Sequence, residues 1–148
     1  MNVDVIDNMS DFIKKSDLIM IRSYRPNDEA FIYATWLRDL YSSDSWYSHI
    51  KKTVFMTHYH RVIELILKNN ANFVKIACLK DDPDTILGYG VFNLEETIIH
   101  YIFIKKAWRK IGIGKMLITP RLKVTTHLTK TGQYFMKKLK IDFNPFLI

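Results

Sequence analysis

The stretch TIIHYIFI, residues 97–104, constrains the fold more than any other part of the chain. A run of β-branched and aromatic residues with apolar groups on both faces does not suit a half-wet sheet edge, so it predicts a strand in the middle of a sheet. A basic loop follows, and then IGIGKMLI, where Gly112 and Gly114 let the backbone turn tightly into a helix. Pro120 keeps that helix short, because proline has no N–H to donate and disfavours helix at Thr119.

The remaining elements are read from periodicity. Residues 18–24 alternate as a strand. Pro26, Asn27 and Asp28 then supply turn and helix-start chemistry before Phe31, Ala34, Leu37, Leu40 and Tyr41, which recur at helical spacing. A polar break at 42–45 precedes a second helical stripe of Val54, Tyr59, Val62, Ile63, Ile66 and Leu67, ending at Asn69 and Asn70. Residues 73–79 and 86–92 read as a β-hairpin around the turn Asp81, Asp82, Pro83 and Asp84. Beyond Pro120, residues 124–128 predict a strand, 131–140 a helix and 141–148 a last strand, which Pro145 marks as an edge or bulged one. Residues 1–17, with four Asp, read as an arm carrying a short helical turn near 10–15, leaving one domain over 18–148.

Composition narrows the class. With 148 residues, 48% of them hydrophobic, the chain is long enough for one packed core and too apolar to stay disordered. The longest apolar runs fall far short of the ~20 residues that a membrane helix needs. Asp4, Asp7 and Asp11 precede any lysine, unlike the basic start of a signal peptide, and the lone Cys78 has no internal partner, so a reducing cytoplasm is expected. Charge is segregated: residues 101–148 hold 11 Lys or Arg and one Asp, net +10, while residues 1–100 are net −3. Such a basic half attracts anions: a phosphate-bearing cofactor, an acidic partner or nucleic acid.

The segment IFIKKAWRKIGIGKML, residues 102–117, carries the chemistry. The first N–H groups of a helix have no intrahelical partner, glycines let the backbone approach a pyrophosphate, and Arg109, Lys110 and Lys115 add full charges. A dinucleotide fold wants G-x-G-x-x-G after an early strand, and a nucleoside-triphosphate loop wants G-x-x-x-x-G-K-[ST]; neither pattern occurs. Arg109-Lys110-Ile111-Gly112-Ile113-Gly114 instead resembles the R/Q-x-x-G-x-G/A signature of the GNAT N-acetyltransferases, and the order of elements resembles theirs over 18–148. FIYATWLRDLY and ILGYGVF also resemble small GNAT-like proteins encoded by tailed phages.

The resemblance implies an α/β (α+β) GNAT fold: a mixed, mostly antiparallel sheet splayed between its fourth and fifth strands, with about four helices. It implies acetyl-CoA in that splay. Main-chain groups at Phe103, Ile104 and Lys105 would meet the pantetheine arm and the thioester oxygen, while Arg109, Lys110, Ile111, Gly112, Ile113, Gly114 and Lys115 would hold the phosphates. An amine acceptor attacks the thioester directly, so the protein needs no nucleophile of its own. The implied function is acetyl transfer to a primary amine of an unread acceptor, by a monomer or homodimer; the alternative is a GNAT-fold binding or regulatory module.

A protonated amine acceptor needs a base. His100 is the candidate, and strand alternation puts it on one face with Ile98, Ile102 and Ile104; Glu95 and Glu96 are alternatives. Thiolate protonation in the family often comes from a tyrosine in the last helix, but Met136 stands at that position. Tyr134 lies two residues earlier, about 200° around a helix, and His127 is a further option. His58 and His60 are spaced to face different sides, so no metal site is indicated. Among Phe31, Tyr33, Trp36, Tyr41, Trp46 and Tyr47, most are expected in the core and a minority at the acceptor.

Overall fold

The structure is a computed structural model that describes residues 14–148. Six strands form one sheet in chain order: β1 (Ile19–Ser23), β2 (Asn72–Leu79), β3 (Ile86–Asn93), β4 (Ile98–Ile104), β5 (Val124–Thr125) and β6 (Asp142–Phe143). The three junctions from β1 to β4 are antiparallel; β4–β5 and β5–β6 are parallel. The α-helices among the described residues are α1 (Glu29–Ser42), α2 (Lys52–Lys68), α3 (Ile113–Leu117) and α4 (Lys130–Leu139). This is the mixed, mostly antiparallel α/β architecture that the resemblance implies, with TIIHYIFI inside the sheet as its residues predict. Most of the expected arm, and the helical turn placed near 10–15, fall outside the described residues; Lys15–Leu18 form a 3₁₀ turn.

Two expectations need correction. The strand predicted over 124–128 holds ladder positions only at Val124 and Thr125, and the one predicted over 141–148 only at Asp142 and Phe143. The last strand stops because Asn144 turns the chain, its Oδ1 accepting the Phe146 N–H at 3.0 Å, while Pro145 has no N–H to extend a ladder.

Each face of the sheet carries its own core. Ile32, Trp36 and Leu40 of α1 and Phe55, Ile63 and Ile66 of α2 pack on Val74, Ile76, Tyr89, Val91 and Tyr101. On the other face Ile113 and Leu117 of α3 join Leu122 and Ile141 over Ile19, Ala77, Leu87, Phe92 and Ile99. Both α1 and α2 present an apolar stripe at helical spacing, so burial of those stripes fixes their orientation. No helix among the described residues is long and apolar enough to cross a membrane.

Candidate active site

The sheet opens between β4 and β5. Val124 pairs with Ile98 and Thr125 with Ile99, and the Thr126 N–H donates to the Ile99 carbonyl at 3.1 Å. No backbone hydrogen bond joins the two segments beyond that rung among the described residues. The C-terminal half of β4 therefore has one free edge.

A bulge decides which groups line that edge. Phe92 of β3 pairs with Ile99 and Val91 with Tyr101, so His100 is an extra residue in β4. Before the bulge, Ile99 turns its carbonyl to β5. After it the phase flips: Lys105 donates to Leu87 of β3 at 2.8 Å, and antiparallel alternation turns Phe103 and Tyr101 to β3 as well. Ile102 and Ile104 are left with main-chain groups facing the opening. Of the three residues named there by the resemblance, Ile104 turns its main chain to the opening, as Ile102 does, whereas Phe103 and Lys105 turn theirs to β3.

The same bulge moves His100. Simple alternation puts it with Ile102 and Ile104, but those two pack on the α3 face, whereas His100 bonds Asn72 next to the end of α2. Its Nδ1 lies 2.9 Å from the Thr126 hydroxyl and its Nε2 3.2 Å from Asn72 Oδ1, and the residue is 2% exposed. Burial pushes its imidazole down to about 4. Both ring nitrogens are thus occupied inside the protein. His127, the first residue past the last rung between β4 and β5, has Nδ1 3.2 Å from the same Thr126 hydroxyl. Burial, and then the neighbouring His100, push it down to about 4 as well.

Aromatic rings wall this corner. Trp36 stacks on Tyr101 at 4.7 Å and meets His127 edge-on at 5.3 Å; Tyr59 lies 6.4 Å from His127. The Tyr101 hydroxyl donates to Asp39, and burial followed by that carboxylate holds the phenol protonated far above its ordinary range. The fully buried Trp36 indole N–H has no acceptor among the described residues. Phe31, Tyr33, Tyr41 and Tyr47 are half-buried against the core as expected, while Trp46 is exposed. His58 packs edge-on to Tyr59 and His60 stacks on Tyr33.

At the other end of the opening, Arg109 Nε donates to the Ile104 carbonyl at 2.8 Å, tying the basic loop to the end of β4. Lys110 has φ 65° and Gly112 φ 100°, so the loop enters α3 through two left-handed residues. A Cβ on Gly112 would meet nothing within 4 Å; backbone conformation rather than space demands glycine there. Ile111 is half-buried, Ile113 is buried, Gly114 sits beside Ile104, and Lys115 is exposed.

Other candidates lie elsewhere. Tyr134 is 65% exposed on α4 and touches only Phe135 among the aromatic rings, because its helical position opposes that of Met136, which packs on the α3-face core. Glu96 is bound in a half-buried pair with Lys75 and, at 3.0 Å, by Arg121, so it is not a free base; Glu95 is exposed and accepts from Asn93. Asn72, Thr126 and Asp39 carry no signal in the sequence, because their contacts with His100 and Tyr101 arise only when distant segments meet. One signal existed for the ion pair: Lys75 is a lone charge in the apolar strand FVKIACL.

No family model and no curated protein matches the sequence. Solved structures do. A candidate acetyl transferase from Pyrococcus furiosus aligns over 85% of this chain and 80% of its own with a TM-score of 0.55 and 14% identity. Apo-form YjaB from Escherichia coli aligns over 82% of this chain and 80% of its own with a TM-score of 0.57 and 18% identity. Likeness at such identities speaks to architecture, and together with the parallel, splayed β4–β5 junction it identifies the fold: the chain has the fold of the GNAT acetyltransferases.

Proposed function

We propose that the protein is an acetyl-CoA-dependent N-acyltransferase acting on a primary amine. The observation that carries this reading is the open edge of β4, where Ile102 offers its N–H and carbonyl and Ile104 its N–H, the Ile104 carbonyl being held by Arg109, next to a corner holding two neutral histidines. An extended pantetheine amide matches such an edge as an added strand would. A main-chain N–H held by the sheet needs no reorganisation to stabilise the oxyanion formed when an amine attacks the thioester carbonyl. Arg109, Lys110 and Lys115, with the N–H groups from Ile111 to Lys115 behind the left-handed Gly112, fit the charge and shape of the CoA phosphates. The sequence expectation of a reducing cytoplasm belongs to the same proposal.

The test is calorimetry with acetyl-CoA, followed by thiol release over a panel of spermidine, glucosamine and a lysine peptide. Saturable binding with acceptor-dependent release is expected. Absence of binding at millimolar acetyl-CoA removes the reading. A binding module is the second reading, favoured by the displacement of Tyr134 to the surface and the apolar Met136 in the core; binding without release across the panel selects it.

A further inference from the structure

A chain of hydrogen bonds with a fixed direction ends at His127. The Ile66 main-chain carbonyl can only accept, so the Asn72 amide nitrogen donates to it at 3.0 Å and leaves Oδ1 as acceptor. Asn72 Oδ1 then requires a proton on His100 Nε2. The neutral His100 ring therefore has a lone pair on Nδ1, which accepts from the Thr126 hydroxyl. With its proton spent, Thr126 Oγ1 accepts from His127 Nδ1. The neutral His127 ring is then left with its lone pair on Nε2, and the His100 main-chain carbonyl, a second acceptor beside the ring, competes with Thr126 Oγ1 for its proton.

We propose that His127 is the catalytic base and acid of this site, and that His100, Thr126 and Asn72 are positioning residues that set its tautomer. The inference rests on the acyltransferase reading above and assigns the proton transfers within it. His100 cannot meet an acceptor, since both its nitrogens are engaged and it is closed to solvent. His127 can: it is half-buried at the apex where β4 and β5 part, next to the β4 edge assigned to the thioester. The groups facing it are the His100 ring and main-chain carbonyl, Tyr59, Trp36 and Tyr101, the last bonded to Asp39 and within the field of Arg109.

The neutral amine nitrogen attacks the thioester carbonyl carbon, forming the C–N bond and placing negative charge on oxygen. His127 Nε2 takes one N–H proton from the now cationic nitrogen. Collapse of the oxyanion breaks the C–S bond, whose electron pair stays on sulfur, and His127 returns the proton to give the CoA thiol. No residue in the last helix is needed, which agrees with Met136 facing the core.

Two measurements test this. Long-range ¹H–¹⁵N correlation on the labelled protein at pH 7 is expected to show His127 protonated on Nδ1 and bare on Nε2, with that preference lost in Thr126→Val and kept in Thr126→Ser. A proton on Nε2, or no response to Thr126→Val, overturns the proposal without any acceptor being known. In the acceptor panel, His127→Gln is expected to lower kcat by ~10²-fold or more with the Kd for acetyl-CoA unchanged, and Thr126→Val to lower it by a smaller factor. Failure of the wild type to bind acetyl-CoA sinks the acyltransferase reading. Full activity in His127→Gln beside an active wild type sinks only the assignment of His127.

Discussion

Arg22 of β1 grips both carboxylate oxygens of Asp28, at 2.8 Å each, where the chain enters α1. Both side chains are less than a tenth exposed, and the Asp28 carboxylate also accepts the Arg25 N–H at 2.7 Å. Burial alone would raise the Asp28 pKa, but the Arg22 bonds and the Arg25 N–H outweigh it and hold the carboxyl below its usual range. Removing one partner strands a buried guanidinium, so Asp28→Ala is expected to cost about 3–5 kcal/mol in urea unfolding at pH 7. The contribution is present above the unfolded carboxyl pKa and fades as pH falls through the folded one, so the two proteins should converge in strong acid. A loss below about 1 kcal/mol at pH 7 would show the pair to be dispensable.

His100 and His127 give a separate window. Both are neutral in the folded protein down to about pH 4, whereas an unfolded histidine titrates near ~6.5. Between those values the unfolded chain binds more protons, so stability is complete above about pH 6.5 and declines as pH falls toward 4. His100 alone accounts for ~3 kcal/mol of that decline at most. Urea midpoints from pH 7.5 to 4.5 should therefore fall more steeply in the wild type than in His100→Gln; parallel curves would mean that His100 is charged in the native state.

Much of this is legible in the sequence alone, and the reasons differ by element. Apolar periodicity over 29–42 and 52–68 and the β-branched run 97–104 are local signals, and burial enforces what they predict. The bulge at His100 has no such signal, since it exists only as a mismatch in pairing with β3, yet it reverses which residues face the opening. Alternation applied through a bulge gives the wrong face for every residue on one side of it. Asn72, Thr126 and His127 come together from β2 and the end of β5, segments whose proximity the sequence does not display. Tyr134 and Met136 were separable by helical geometry alone.

Gly112 gives a prediction in which conformation and space part company. Its φ of 100° disfavours residues with a Cβ, but a Cβ there has no neighbour within 4 Å. Asparagine visits left-handed backbone more readily than other residues, and a β-branched residue resists it most. Acetyl-CoA affinity should thus fall modestly in Gly112→Asn and at least ~10-fold in Gly112→Val, the equivalent of about 1.4 kcal/mol of misplaced loop. Equal affinities by calorimetry would place the phosphates away from this turn.

The last helix separates the two tests of proton supply. Tyr134 projects from α4 into solvent, while Met136, one side of the helix away, is half-buried against the core formed with Ile113 and Leu117. A phenol that donates to a leaving thiolate must reach the opening between β4 and β5, and one that is 65% exposed on the outer face of α4 does not. Tyr134→Phe should leave acceptor-dependent thiol release within about twofold of wild type, since loss of a positioned acid would cost ~10²-fold or more. Met136→Ala removes packing rather than chemistry; for a half-buried methionine a loss of about 1–2 kcal/mol in urea unfolding is expected, below the range for fully buried sites. Turnover per folded molecule should stay unchanged in that variant. A large fall in kcat for Tyr134→Phe at unchanged stability would bring α4 into the reaction and displace His127 as the source of the thiol proton.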